Sequence, residues 1–249
     1  MQNIYHPLLD AEGIRAFYTV RGDVGATPGP YDGFNVCHYT GDDPAHVETC
    51  RRELASWAGI GEDNVVIPRQ THSVRVAVTG EGGVPSTEGV DALVTRRHGV
   101  VIGVNTADCV PVVMADPVAH IIGVAHAGWR GAVGGIVGNT VAAMIELGAA
   151  MERLRVVFGP SICTSCFEVG EEVAARFPES AVNRRPEWAR PHVDLHGYIT
   201  SELISLGVCA SAVAPFDRSL CTRCHPARFF SARAQGVASG RVFTFAYLD

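Results

Sequence analysis

The chain has 249 residues, 47% of them hydrophobic, and a formal net charge of −6, so it can bury a full core and is read as one domain over residues 1–249. Its charges are scattered without a basic stripe, which excludes a nucleic-acid backbone as the expected partner. No apolar run reaches the length of a membrane span and the first residues do not read as a signal peptide, so a cytoplasmic protein is expected.

Residues 14–40 open with a short strand pattern and pass into a Gly/Pro-rich loop flanked by Arg21 and Asn35. A solvated arginine and a turn asparagine are the plain readings of that pair. Next, Asp43 reads as an N-cap, Pro44 as the first helical residue, and Val47, Cys50, Arg51 and Leu54 repeat at helical spacing. Residues 64–79 read as strand, pause and strand, with Gln70, Thr71 and His72 at the pause. A Gly/Pro/Ser-rich stretch at 81–89 leads into strand character at 90–95.

The stretch from Gly99 to Gly131 holds two very apolar, strand-like runs. Asp108 and Cys109 stand where the first pauses, and His126, Trp129 and Arg130 follow the second. If the runs pair as neighbouring strands, the Cys109 thiol and the His126 imidazole meet at one sheet edge. A helix is expected after Gly131 as far as Gly148, weakened by internal glycines at about 1 kcal/mol each relative to alanine. Strand 154–160, helix 167–177, a strand entering a helix over 192–208, and two closing strands across a glycine turn over 227–248 complete the pattern. Strands and helices alternate, but some strands look hairpin-linked. The expected class is therefore mixed α/β, with mixed sheets flanked by helices and not a purely parallel sheet.

The eight cysteines, in a chain without a recognisable export signal, read as reduced thiols, metal ligands or one nucleophile. Cys221 to His225 matches a c-type haem attachment pattern, which requires an export route. Cys163–Cys166 and Cys221–Cys224 are two Cys-x-x-Cys pairs, but 54 residues separate them, far from the roughly 15–20 of a two-knuckle zinc site. They are read as reduced structural thiols, with a four-thiolate zinc as the alternative. His46-Val-Glu48 begins like a nucleobase deaminase signature, but no Pro-Cys-x-x-Cys follows. No His-x-His pair exists, so three copper centres cannot easily be built, though one His/His/Cys copper site can. His126 and Arg130 stand where a strand yields to a helix, a place suited to anions.

Taken in order, RQTHSVRV (69–76), DALVT (91–95), NTADCVPVVMAD (105–116), GVAHAGWRG (123–131), GPSICTSCFEVG (159–170), HVDL (192–195), Cys221-Thr222 and FFSARAQGVASGR (229–241) resemble the multi-copper polyphenol oxidoreductase (laccase-domain) family, which includes bacterial purine nucleoside phosphorylases. The resemblance runs from about Phe17 to Val242. It implies a fold similar to the cytotoxic necrotizing factor catalytic domain and a zinc ion held by His72, Cys109 and His126. Two imidazoles and a thiolate leave a fourth position open, as a catalytic zinc requires.

The activity implied is phosphorolysis of adenosine, inosine and methylthioadenosine, with adenosine deamination as a second activity. His72, Cys109 and His126 are the expected catalytic residues, and Arg21, Asn35, Arg130 and Arg233 the expected substrate and phosphate contacts. The partner is then a small molecule. Phe167 replaces a usual tyrosine, Ser73 a glycine, Cys50 an asparagine, and SARAQG a more basic run, which weakens the role of Arg233. Three competing readings stay open, the first two a cysteine amidase acting on peptidoglycan precursors, with Cys109 attacking and His126 as base, and a copper-dependent polyphenol oxidase using the same three ligands. A zinc-stabilised binding protein without catalysis is the third.

Overall fold

The computed structural model describes residues 3–23, 25, 29–80 and 86–249. The strands are β1 (Tyr5–Ala11), β2 (Ile14–Thr19), β3 (Val65–Val66), β4 (Val76–Thr79), β5 (Ala92–Thr95), β6 (Val101–Thr106), β7 (Val110–Asp116), β8 (Ile121–Ala127), β9 (Arg155–Phe158), β10 (Val182–Asn183), β11 (His192–Val193) and β12 (Val242–Leu248). The α-helices are α1 (Pro44–Ala58), α2 (Trp129–Gly134), α3 (Ile136–Glu146), α4 (Glu171–Ala174), α5 (Leu195–Ser205) and α6 (Ala232–Gln235). Parts of the two Gly/Pro-rich stretches expected as surface loops, at 24, 26–28 and 81–85, lie outside the described residues.

Two five-stranded sheets form, in the orders β1-β2-β12-β6-β3 and β4-β5-β8-β7-β9. Each is antiparallel except for one pair at an edge, β3 with β6 and β4 with β5. The class is thus mixed α+β, as the hairpin-linked strands imply. β7 and β8 are buried along their whole length, because both faces of their sheet are covered. Val113, Ala115, Ile122 and Val124 on one face pack with Ile102, Val104 and Ala246 of the other sheet. Val112, Met114 and Ala125 on the opposite face pack with Val137, Val141 and Met144 of α3 and Ile199 and Leu203 of α5. α1 covers the outer face of the first sheet through Cys50, Leu54 and Ala55 against Phe243 and Phe245. Each of these fully buried Val, Ile, Leu, Met and Phe side chains contributes roughly 1.5–3 kcal/mol, and the period-2 division between the two faces fixes the strand register.

Local signals explain several boundaries. The Asp43 side chain accepts from the Ala45 N–H and Pro44 opens α1, as expected from the cap pattern. The helix expected after Gly131 is broken into α2 and α3, because Gly135 takes a φ of 90°, open to glycine and costly for other residues. The helix expected over 167–177 shrinks to α4. The two strands expected over 227–248 become one strand preceded by α6, whose first turn is capped by the Ser231 hydroxyl accepting from the Ala234 N–H. The central apolar stretch forms three strands where two runs were expected. Its first run divides at 107–109, where the chain passes from β6 in one sheet to β7 in the other. Among the described residues no helix is long and apolar enough to cross a membrane.

Candidate metal centre

Topology brings four strand ends together. β4 and β5 run parallel, and β8 is antiparallel to both β5 and β7. The starts of β4, β5 and β7 and the end of β8 therefore lie at one edge, and each carries a polar residue there: His72 in the loop before β4, Asp91 before β5, Cys109 before β7, and His126 near the end of β8. The ladder pairs Pro111 with His126, which sets Cys109 beside that imidazole. His72 Nε2, Cys109 Sγ and a ring nitrogen of His126 all lie within 4.8 Å of one another, with His72 Nε2 3.7 Å from the sulphur. These three side chains form a candidate metal site.

Asp91 organises them. Fully buried, it accepts the backbone N–H groups of Thr71, His72 and Ser73 at 3.1, 3.0 and 2.8 Å and the His126 Nδ1–H at 2.7 Å. A carboxylate can only accept, so Nδ1 carries a proton and Nε2 is the nitrogen available to an ion, which displaces the Nε2 proton when it binds. The same N–H contacts hold His72 at φ 60°, a left-handed conformation that a histidine otherwise adopts at a cost of order 1–3 kcal/mol. Burial raises the Asp91 carboxyl, but the hydrogen bonds from His126 and Ser73 overcome this and bring it to about 2. Burial likewise opposes ionisation of His126 and Cys109. Mutual attraction, with Asp91 behind the imidazole, wins in both: His126 rises to about 9 and Cys109 falls to about 6. A sulphur that ionises this readily is a good metal ligand or nucleophile.

The space between the donors is kept clear by Gly128. A Cβ at that position would stand 2.7 Å from His72 Cδ2 and 2.9 Å from Cys109 Sγ. Its φ is −68°, so the need for glycine is steric and not conformational. Two nitrogens and one sulphur at such separations fit a borderline-soft ion of the zinc type.

Asp108, next to Cys109, is also held at positive φ, 89°. Its Oδ1 accepts the hydroxyls of Thr222 and Ser231 at 2.6 and 2.7 Å, and its Oδ2 accepts the Arg233 N–H at 2.6 Å. These bonds fasten the 222–233 segment to the turn that carries the thiol. A cavity of about 420 Å³ opens over the cluster, lined by Tyr39, Gln70, His72, Asn105, Ala107, Asp108, Cys109, His126, Ala232, Arg233, Val237 and Arg241. In its wall Asn105 is 3% exposed, and neither its Nδ2 nor its Oδ1 has a hydrogen-bond partner among the described residues. Its backbone is satisfied by Gln70, whose amide donates to the Asn105 carbonyl at 2.7 Å and accepts its N–H at 2.8 Å.

Residues 15–249 match the family model described as multi-copper polyphenol oxidoreductase laccase. The chain belongs to that family. Within the laccase family it is 45% identical to the protein named adenosine deaminase RL5, from an unknown prokaryotic organism, over 95% of this chain and 94% of that one. It is 39% identical to a purine nucleoside phosphorylase of Deinococcus radiodurans, over 95% and 91% respectively. The solved structure of Neisseria meningitidis protein NMB0706 superposes with a TM-score of 0.86 at 29% identity, covering 99% of this chain and 100% of that one.

The remaining residues expected at the laccase-family site are distributed differently. Arg233 lines the cavity, with its side chain donating to the Glu168 carbonyl at 3.0 Å. Arg21 does not line it. Arg21 is buried, donates to the carbonyls of Asp32, Gly29 and Pro226, and stacks 4.4 Å over Phe230, so its guanidinium binds the protein's own backbone. Asn35 is buried too. It donates to Asp42 and accepts the N–H groups of Cys37 and Arg241, which positions Arg241 in the cavity wall. Arg130 is exposed on α2, 4.1 Å over the Trp129 ring, outside the lining. Sequence reasoning overlooked Asp91 as the organiser and Asn105 as a free polar wall. The signal for Asp91 was a lone carboxylate embedded in the apolar run VDALVT.

Proposed function

We propose that this chain is a zinc-dependent purine nucleoside phosphorylase, taking adenosine, inosine or methylthioadenosine. The observation that carries the reading is the convergence of two imidazoles and one readily ionised thiol at the floor of a cavity of about 420 Å³ that Arg233 and Arg241 also line. The names of its relatives support the substrate class. His72, Cys109 and His126 would hold the zinc, which supplies Lewis acidity and lowers the pKa of water towards neutrality.

The chain's own residues then have distinct tasks. Asp91 keeps His126 in the tautomer that presents Nε2 and stabilises positive charge on the ring. The Asn105 amide, with one donor face and one acceptor face, orients the base edge or the ribose hydroxyls. Phosphate oxygen bonds to the ribose C1′ as the bond to the purine nitrogen breaks, giving ribose 1-phosphate and the free base. Arg233, whose guanidinium makes one hydrogen bond among the described residues, neutralises the incoming phosphate. We assign that role to Arg233 ahead of Arg21 and Arg130 because it reaches the cavity.

A second reading, adenosine deamination, is favoured by the name of the 45%-identical relative and uses the same floor. A cysteine amidase, with Cys109 attacking and His126 as base, is the reading favoured by the low thiol pKa if no metal binds.

The test is a nucleoside panel assayed with and without inorganic phosphate, with zinc measured in the same sample. Base release that requires phosphate and disappears in Cys109→Ala is the expected result. Release without phosphate, or none, overturns the proposal. Ammonia from adenosine marks the deaminase, and serine release from a muropeptide by metal-free protein marks the amidase. Phenol oxidation only after copper loading identifies copper as adventitious.

A further inference from the structure

We propose that Cys163, Cys166, Cys221 and Cys224 form a second metal site, a closed four-thiolate zinc that is structural. The four sulphurs lie within 4.8 Å of one another, and Cys166 Sγ stands 3.5 Å from Cys224 Sγ. Zinc–sulphur bonds of about 2.3 Å in a tetrahedron place sulphurs roughly 3.8 Å apart, close to this arrangement. Each Cys-x-x-Cys pair gives one deeply buried sulphur and one nearer the surface: Cys163 and Cys221 are buried, Cys166 is partly exposed and Cys224 exposed. An ion can therefore enter from the Cys166 and Cys224 side. The Cys163 N–H donates to Cys221 Sγ at 3.3 Å, the kind of contact that stabilises an ionised sulphur.

All four donors are soft, which selects zinc or iron over magnesium or calcium. Four protein ligands complete the tetrahedron and leave no position for substrate. The site is thus structural where the His72/Cys109/His126 cluster is open.

The long sequence gap between the two pairs closes through a backbone bridge. Ser161 N donates to the Leu220 carbonyl at 3.2 Å, and Thr222 N to the Ser161 carbonyl at 3.1 Å, laying the two segments side by side. Both segments also reach Asp108. The Ile162 N–H donates to its carbonyl at 2.9 Å, and the Thr222 hydroxyl to its carboxylate. An ion bound by the four cysteines therefore clamps the wall that holds the turn before Cys109.

The site is tested independently of turnover in a His72→Ala/Cys109→Ala variant, which removes two donors of the other cluster. Purified from zinc-containing medium, it should keep about one zinc per chain, half the wild-type content, if the quartet binds in the manner of structural zinc sites. Cobalt(II) substitution of this variant should give the intense near-ultraviolet sulphur-to-metal charge transfer of a tetrathiolate. The complementary Cys166→Ser/Cys224→Ser protein should lose that band and the ion. If the serine protein does not fold, the first variant still decides. The proposal is overturned if the first variant holds no metal and its four thiols alkylate freely. It is equally overturned if peptide mapping finds the cysteines joined as disulfides, or if the bound ion is iron.

Discussion

The His72/Cys109/His126 cluster and the Cys163/Cys166/Cys221/Cys224 cluster meet at Asp108 and are built on opposite plans. The first takes mixed donors from three strand ends, is braced by one buried carboxylate, and opens into a cavity. The second takes like donors from two short loop segments, is braced by backbone contacts, and has no donor other than sulphur. The difference teaches what separates a reactive centre from a clamp: the first offers three donors beside a cavity, and the second offers four sulphurs, enough to close a tetrahedron. Asp108 touches both, its backbone joined to Cys109 and its carboxylate to Thr222.

The largest effect that tests this contrast is expected from Gly128→Ala. The added methyl group occupies the space between His72 and Cys109. Metal at the first cluster should be lost and turnover should fall by more than the roughly 100-fold that removal of an outer partner costs, with the second cluster still loaded. Zinc content and nucleoside assays check this, and an active, fully loaded Gly128→Ala protein would break the contrast.

Asp91→Asn comes next, with metal affinity at the first cluster falling about 10- to 100-fold, measured by chelator competition. The same carboxylate makes metal-free stability depend on acid. Its folded pKa of about 2 lies below the ordinary 3.8, so its contribution, about 2 kcal/mol, is present above pH 4 and is lost as pH falls towards 2. Urea midpoints across that range should fall more steeply in the wild type than in the asparagine variant, which keeps the depressed Asp116 carboxyl but not Asp91.

Asn105→Ala should raise the nucleoside KM about 3- to 10-fold, the equivalent of one hydrogen bond, and leave both ions in place. An unchanged KM would remove Asn105 from substrate binding. The smallest effect is assigned to Thr222→Val. Losing one hydroxyl on Asp108 should lower Tm by about 2–4 °C, and calorimetry with metal analysis would sharpen how firmly the two clusters are joined.

Much of this was legible in the residues. The N-cap at Asp43, the strand at Ala92–Thr95 and the mixed character of the sheets follow from local patterns. The meeting of Cys109 with His126 follows from two neighbouring apolar runs. What stayed hidden is non-local. Nothing in VIGVNTADCVPVVMAD distinguishes one interrupted strand from two strands in different sheets, because both faces are buried in each case. Arg21 reads like any loop arginine, since its carbonyl partners lie at 29, 32 and 226. The cysteine quartet was discounted on linear spacing, which carries no weight once the Ser161–Cys221 bridge brings the pairs side by side.

The Asp91 cradle has one more consequence. Both imidazole-bearing segments are tied to a single carboxylate by bonds that need no ion, so the donors stand in a preorganised frame. Little chain entropy is left to lose when an ion arrives. Exchange at this cluster should therefore proceed without unfolding of the loop, and the apo form should crystallise with His72 and His126 already in place.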